Sequence, residues 1–445
     1  MNDSEERGSF SGKLGFILTA AGAAIGLGCI WRFPYLTAQY GGGIFILIYL
    51  LLLATLGITL LMTEIAIGRK TGTGVLGAFA KLNKKFTFLG YLCLLVPLLI
   101  QPYYSVLGAW ITKYAVTFAT GGGAETASAG YYTSFIASTE PVIWVIIFVI
   151  ATGLVVLLGV RNGVERACKI LMPIEVILLI ILAVYCLTLP GSLDGLYYYL
   201  YPDISNVSAE GILAALGQVF YSLSLGFGIM LTFGSYLSKK VNLTASSVTT
   251  GFFTLLVAFI AGSLIIPASY IVTNGNPIAL SSGSMFESLP MVFTNMPLGL
   301  LMGAAFFILL TFAALTSNIC ALEVMVAALR DKFGVSRLKG VILMTLYTLA
   351  FSIPIALGYG VLSFIDFNGM KLLEIFDFTS GTILLPIVAL CTCILVGYFI
   401  KSEVILDEIK LFSRFKGDKK YMFMIKYFIP LCIIIIFVYG IVSMF

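Results

Sequence analysis

The chain has 445 residues, of which 60% are hydrophobic and 11% are charged. A soluble chain is typically about half apolar and about one quarter charged, so a water-soluble fold of this composition would expose too much apolar surface. The sequence therefore predicts a protein that lies in a lipid bilayer. Histidine is absent, which excludes catalysis, metal sites and proton relays that depend on imidazole. The net charge of +5 does not indicate nucleic-acid binding, because the basic residues follow the predicted membrane topology.

Apolar stretches long enough to cross a hydrocarbon core as helices, which takes roughly 20 residues, recur along the whole chain. We number them span 1 to span 11. In chain order, the predicted spans are 12–36, 42–67, 86–118, 141–158, 170–190, 211–237, 246–272, 300–329, 340–361, 374–400 and 421–444. The residues before span 1 are polar, and no cleavable signal peptide is predicted.

The basic residues predict the orientation of the spans. With the N-terminus in the cytoplasm, all of the 26 lysines and arginines except Arg32, Lys113 and Lys371 fall on the cytoplasmic side or in its connections. The odd number of spans then places the C-terminus outside. The longest external connections either cap a pocket or are solvated linkers. They are residues 119–140, 191–210 and 273–298.

Spans 1 and 6 contain glycine clusters near their centres, at 22–28 (GAAIGLG) and 222–228 (SLSLGFG). A glycine inside a helix costs about 1 kcal/mol relative to alanine. The clusters therefore indicate either local unwinding or close packing of helices through small residues. Spans 1 and 6 also begin two five-span halves that enter the membrane from opposite sides. Such an inverted repeat with paired interrupted helices is typical of secondary transporters.

Several motifs resemble the neurotransmitter:sodium symporters. They are AGAAIGLG at 21–28, WRFP at 31–34, GGG at 41–43, EIAIGR at 64–69, YYS at 103–105, GVER at 163–166, MP at 172–173, SLGFG at 224–228 and ALTS at 314–317. The resemblance extends over essentially the whole chain. It implies an all-α integral membrane protein with a LeuT-like fold, in which spans 1–5 and 6–10 form an inverted repeat with spans 1 and 6 unwound, and span 11 follows.

The resemblance divides the chain into functional segments. They are a cytoplasmic N-terminal latch at 1–11, the first repeat at 12–190, an external loop at 191–210, the second repeat at 211–400, a cytoplasmic loop at 401–420 and span 11 at 421–445.

The resemblance also implies an amino-acid site at the two breaks. The substrate carboxylate is expected at the amides of Leu27 and Gly28 and the hydroxyl of Tyr104. The amino group is expected at carbonyls of the unwound segments, and the side chain in a separate subsite. The expected carbonyls belong to Ala23, Phe220 and Ser224, and the subsite residues are Ile100, Tyr221, Phe227, Ser317 and Ala321. The small Ala321 favours an aromatic substrate, namely tyrosine, phenylalanine or tryptophan.

Two sodium sites follow from the same resemblance. Site two is expected to use the backbone carbonyls of Gly22, Ile25 and Ala313 with the hydroxyls of Thr316 and Ser317. Site one is expected to include Ala24 and Ser222, with Cys29 and Thr254 in place of two asparagines of the family. Because a thiol is a poor ligand for a hard cation, the sequence favours site two and predicts one or two Na⁺ ions.

Other residues resemble accessory parts of these transporters. Tyr49, Gln218 and Ser222 are similar to a chloride-binding cluster, so Cl⁻ is a further expected ion. An outer gate is expected from Arg32 and Asp377, and an inner gate from Arg7, Phe10, Tyr236 and Asp331.

Three acids and one amide inside the spans require a separate interpretation. Glu64 is interpreted either as a scaffold that accepts hydrogen bonds from unwound backbone or as a side chain that reaches the membrane interface near Arg69. Glu323 fits the inner pathway. Glu175 and the pair Gln101-Pro102 have no role that the sequence indicates.

The sequence thus predicts a sodium-coupled symporter that imports a neutral hydrophobic or aromatic amino acid by alternating access. It is placed in the bacterial cytoplasmic membrane, with a single chain sufficient for transport and no nucleic-acid partner. No nucleophile–base pair indicates an enzyme. Two alternatives remain: an amino-acid sensor of the same fold without turnover, and a proton-coupled permease, which needs a titratable group beside site two that its five residues do not provide.

Overall fold

The computed structural model describes residues 9–273, 275, 284–401, 403–412 and 415–442, and its regular elements there are helices. Within these ranges, nine continuous helices are long and apolar enough to cross a membrane. They are Gly43–Thr71, Lys84–Ala119, Glu140–Leu157, Val160–Leu187, Leu243–Ile271, Gly299–Phe333, Arg337–Tyr359, Leu372–Phe399 and Asp418–Val442. They correspond to spans 2 to 5 and 7 to 11.

Spans 1 and 6 are each divided into two helices. Span 1 consists of Lys13–Ala24 and Gly28–Gln39, whose axes differ by 58°. Span 6 consists of Ala209–Ser222 and Ile229–Ser235, separated by the non-helical residues 223–228. All predicted spans are therefore present, and unwinding is the correct interpretation of both glycine clusters.

The break of span 6 depends on backbone conformations that favour glycine. Gly226 and Gly228 have φ values of 80° and 75°, in the left-handed region where a side chain is disfavoured. Ser224 also adopts a positive φ, 51°, which is uncommon for a residue with a side chain. Its hydroxyl donates to the carbonyl of Ala23 at 3.0 Å, so the strained residue links the two breaks.

Span 5 begins at Val160 rather than at 170. The polar segment before residue 170, which set the predicted start of the span, is itself helical. It begins with a π-helical turn, Val160–Glu165. Glu165 is buried there but paired, since it lies 2.5 Å from Lys169 and accepts hydrogen bonds from Ser11. A hydropathy window excludes such charges, whereas a helix tolerates them when they are paired at its end.

The connections carry short helices. They are Val75–Leu82, Gly123–Thr126, Tyr131–Ala137, Ser192–Leu200, Ser284–Thr294 and Glu403–Lys410. In the last of these, Glu408 forms a buried ion pair of 2.7 Å with Arg69 at the end of span 2. Of the external connections, residues 119–140 and 273–298 contribute Tyr132 and Phe286 to the lining of a cavity, which agrees with the interpretation as caps.

Candidate binding site at the two helix breaks

A cavity lies between the breaks of spans 1 and 6 and the adjoining parts of spans 3 and 8. The residues predicted for substrate binding that line it are Ala23, Gly28, Ile100, Tyr104, Tyr221, Ser224, Phe227, Ser317 and Ala321. Leu27 and Phe220 are placed differently. The amide of Leu27 donates to the Tyr104 hydroxyl at 3.1 Å, and the carbonyl of Phe220 accepts the amide of Leu225 at 3.0 Å.

The break in span 1 redirects the amides that would close a continuous helix. Gly26 N–H donates to the Ala24 carbonyl rather than to that of Gly22, and Cys29 N–H donates to the Gly26 carbonyl rather than to that of Ile25, each at 3.1 Å. The carbonyls of Gly22 and Ile25 are thereby released from helical hydrogen bonding. Released carbonyls inside a membrane protein are suitable ligands for a hard cation.

Site two brings together oxygens of spans 1 and 8. The Ser317 hydroxyl donates to the carbonyl of Gly22 at 3.3 Å and lies 3.4 Å from that of Ala23. In span 8, the hydroxyl of Thr316 lies 3.1 Å from the carbonyl of Ala313. Thr316 and Ala313 are fully buried. These residues are of the type that suits a sodium ion, because the donor set consists of neutral oxygens and Ser317 brings a hydroxyl of span 8 to the carbonyl of Gly22 in span 1.

Site one has a different chemistry. The thiol of Cys29 donates to the carbonyl of Ala24 at 3.3 Å and lies 3.9 Å from the carbonyl of Ser222. The hydroxyl of Thr254 donates within its own helix, to Thr250 at 2.9 Å. The Ala24 carbonyl, expected to bind an ion, is thus engaged by a thiol, and a thiol is a poor ligand for a hard cation.

The three residues of the chloride-like cluster lie close to the break of span 1. The Gln218 amide donates to the Ser222 hydroxyl at 2.9 Å and to the carbonyl of Gly28 at 2.6 Å. The hydroxyl of Tyr49 is buried and has no hydrogen-bond partner among the described residues. An orphaned O–H donor of this kind fits an anion such as chloride.

The cavity also includes residues that the sequence did not assign to the site. They are Gly26, Gln101, Tyr103, Ile229 and Asn318. The side-chain oxygens of Gln101 and Asn318 are buried and have no hydrogen-bond partner in the described part of the chain. An amide side chain inside an apolar span is itself a signal for a functional site, and it identifies these two residues.

A second cavity, which we call the vestibule, lies next to the first and shares Gly28, Tyr103, Tyr104 and Tyr221 with it. Its further aromatic lining is Trp31, Tyr35, Trp110, Tyr132, Phe286 and Tyr359. The two charges predicted for the outer gate lie here and are connected through Tyr221. The Arg32 guanidinium lies 4.4 Å from the centre of the Tyr221 ring and donates to Gln218 at 3.0 Å.

Asp377 accepts hydrogen bonds from two tyrosines, Tyr103 at 2.8 Å and Tyr221 at 3.5 Å. Arg32 and Asp377 therefore do not form a direct ion pair in this structure, and Tyr221 stands between them. A movement that closes the gap would bring the charges together over the first cavity.

At the opposite end of the molecule, Phe10 packs against Tyr236 with ring centres 6.2 Å apart. Tyr236 donates to Glu323 at 2.9 Å, and Glu323 pairs with Arg337 at 2.6 Å. Asp331 accepts the amide of Gly74 at 2.7 Å. The fourth predicted member of this gate, Arg7, lies outside the described residues.

Glu64 of span 2 reaches the break of span 6. It is 6% exposed, and its carboxylate accepts the amide of Gly226 at 2.7 Å. The side chain therefore points into the protein and not toward the membrane interface. A carboxylate in this position holds an amide that the break has removed from helical hydrogen bonding.

Comparison with known proteins agrees with this architecture. The sequence matches the sodium:neurotransmitter symporter family over residues 7–123 and 132–445. It is 33% identical over 456 residues to an uncharacterized sodium-dependent transporter of Haemophilus influenzae, covering 98% of both proteins. It is 26% identical over 458 residues to the sodium- and chloride-dependent taurine transporter of Rattus norvegicus, covering 91% of this chain and 73% of that protein.

Among solved structures, the crystal structure of MhsT in complex with L-phenylalanine is similar, with a TM-score of 0.88 and 36% sequence identity, covering 98% of this chain and 100% of that chain. The fold and the site define a secondary transporter with two unwound spans. The chain belongs to the sodium:neurotransmitter symporter family. It is a multi-pass, sodium-dependent membrane symporter for a small molecule, and not an enzyme.

Proposed function

We propose that this protein imports a neutral aromatic amino acid with Na⁺ by alternating access, across the bacterial cytoplasmic membrane. The single observation that carries the proposal is the break of span 1, where released backbone groups meet the hydroxyls of Tyr104 in span 3 and Ser317 in span 8, next to the break of span 6. Backbone amides and carbonyls of this kind suit the carboxylate and ammonium groups of a zwitterion. The similar protein MhsT has been crystallised with L-phenylalanine, which supports an aromatic substrate.

The cavity supports a further distinction between aromatic substrates. The residues that line it include Gln101 and Asn318, whose buried side-chain oxygens have no hydrogen-bond partner among the described residues. A buried acceptor left unpaired costs about 1–3 kcal/mol. Tyrosine and tryptophan carry a donor on the side chain and phenylalanine does not, so we propose that the first two are preferred. Replacing Gln101 with leucine then reduces this preference, measured as the ratio of apparent affinities.

For the ions, we propose that Na⁺ occupies site two and that site one is weak or absent. Cys29 engages a carbonyl of site one, whereas the oxygens of site two are all neutral and hard. Chloride dependence is a secondary proposal, supported by the unpartnered hydroxyl of Tyr49. Equal transport in chloride and gluconate buffers would refute it.

The geometry supports the following cycle. Sodium at site two holds span 1 against span 8 and favours the state open to the outside. The substrate then joins the breaks to spans 3 and 8, and Arg32 approaches Asp377 over Tyr221. Release to the cytoplasm requires the inner gate around Tyr236 to open. Each Na⁺ that enters gains roughly 2.3 kcal/mol per 100 mV of membrane potential, which drives accumulation of a neutral amino acid.

The decisive experiment is counterflow in proteoliposomes with a panel of labelled amino acids, with and without Na⁺. We expect Na⁺-dependent exchange of aromatic amino acids. Binding without exchange would support the sensor of the same fold, and exchange driven by a pH gradient without Na⁺ would support the proton-coupled permease.

The control is the variant with Thr316→Ala and Ser317→Ala. We expect it to lose Na⁺ stimulation, because both hydroxyls of site two are removed. Retained stimulation would reject site two as the coupling site.

A further inference from the structure

Glu175 is a buried acid of span 5 for which the transport cycle above has no use. It is 2% exposed, and neither of its carboxylate oxygens has a hydrogen-bond partner among the described residues. Other buried acids of the spans have at least one hydrogen-bond or ion-pair partner. Glu64 accepts an amide of the span 6 break, and Glu323 is paired with Arg337. Glu175 is thus a buried intramembrane carboxyl group that no hydrogen bond from a described residue compensates.

The position of Glu175 is defined by the buried stripe of span 5, which includes Cys168, Met172, Glu175 and Leu179. This stripe faces the break of span 1. A Cβ atom placed on Gly22 would lie 3.0 Å from the sulfur of Cys168 and 3.4 Å from Cγ of Met172.

Spans 1 and 5 run in the same direction through the fold. A residue one helical turn beyond Met172 therefore lies level with a residue one turn beyond Gly22. This places Glu175 level with Ile25, whose carbonyl the break releases.

An ionised Glu175 and a Na⁺ ion at site two would each compensate the charge of the other. Site two offers carbonyls and hydroxyls only, so a bound Na⁺ has no negative partner among its ligands. A buried carboxylate without a cation nearby carries a large desolvation cost. An opposite charge nearby in a medium of low dielectric offsets both costs.

We propose that Glu175 is the counter-charge of the sodium ion at site two, acting through space from span 5. The inference deepens the proposed function, because it rests on Na⁺ binding between spans 1 and 8. It makes span 5 a third part of the ion site, alongside the two spans whose oxygens surround the ion. It also means that this site takes a monovalent cation with its charge compensated by the protein rather than by the substrate.

The test is equilibrium binding of radiolabelled sodium to the purified full-length protein. We expect Glu175→Gln, which preserves size and removes the charge, to raise the Na⁺ concentration at half-saturation at least about tenfold. Glu175→Asp keeps the charge and is expected to lie between this variant and the unmodified protein. Leu179→Met, in the same buried stripe, serves as the packing control and is expected to bind Na⁺ normally. Thermal unfolding of each variant shows whether it is folded.

The outcomes separate this inference from the proposed function. Loss of sodium binding in the variant with Thr316→Ala and Ser317→Ala establishes site two. If that variant loses binding while Glu175→Gln retains the normal half-saturation, the counter-charge is refuted and site two stands. If both variants bind Na⁺ normally, site two itself is wrong. If Glu175→Gln does not fold, Glu175→Leu takes its place. A normal half-saturation in Glu175→Leu, or a loss in Glu175→Asp as large as in Glu175→Leu, then refutes the role of the charge.

Discussion

Replacement of Glu64 with alanine tests whether the break of span 6 is held by a side chain of span 2. The carboxylate accepts the amide of Gly226 at 2.7 Å in a buried position. The alanine variant leaves that amide buried without an acceptor. Because the same break lines the cavity proposed for the substrate through Ser224 and Phe227, we expect the loss to appear in substrate binding as well as in stability.

The magnitude follows from the type of hydrogen bond. A hydrogen bond to a charged group contributes about 1.5–3 kcal/mol. If this energy maintains the binding-competent break, its loss reduces the competent fraction, and the apparent Kd rises by roughly tenfold to one hundredfold. Glu64→Gln retains an acceptor for the Gly226 amide, so its expected loss is smaller.

The assay is equilibrium binding of the labelled amino acid that gives the largest counterflow signal, at saturating Na⁺. Glu210→Ala is a matched control, since Glu210 is an exposed acid in the first turn of span 6. Binding by Glu64→Ala within about twofold of the unmodified protein would refute the reasoning. An equal loss in Glu64→Ala and Glu64→Gln would show that the charge, and not the acceptor, stabilises the break.

Three further predictions concern span 1. Gly26→Ala is expected to abolish substrate binding, since the added Cβ would lie 2.5 Å from the Tyr104 hydroxyl and 2.6 Å from that of Ser317. The control is Gly217→Ala, whose added Cβ has no other atom within 4 Å, and this variant should bind substrate normally. Cys29→Asn is expected to lower the Na⁺ concentration at half-saturation by restoring a hard ligand, and an unchanged value would contradict a weakened site one. Arg32→Ala should slow counterflow more than it weakens equilibrium Na⁺ binding, and normal turnover would remove Arg32 from the gate.

The sequence contains most of the information on the fold. The spans are continuous apolar runs, and the unwinding of spans 1 and 6 follows from glycines that disfavour a helix at mid-membrane. The start of span 5 at Val160 was not predicted. In the sequence a charged residue such as Glu165 marks the boundary of an apolar segment, and its pairing with Lys169 is visible only in the structure.

The site is less accessible from the sequence alone. Backbone carbonyls belong to every residue type, so their assignment to sodium depends on family resemblance and on the observed break. The connection of Arg32 and Asp377 through Tyr221 depends on which state of the gate is observed. Gln101, Asn318 and Glu175 are visible in the sequence as polar residues of apolar spans, but only the structure shows that their oxygens have no partner in the described ranges.

The released carbonyls of span 1 have a practical consequence for purification. In detergent, backbone carbonyls at the break are left without the ion and ligand proposed to bind there, and the protein is expected to be less stable than in their presence. A ligand present at 100 times its Kd adds roughly 2.7 kcal/mol to the stability of the folded form. Measurements of the melting temperature with different amino acids and salts would therefore rank the candidate substrates and ions by their affinity before transport is assayed in vesicles.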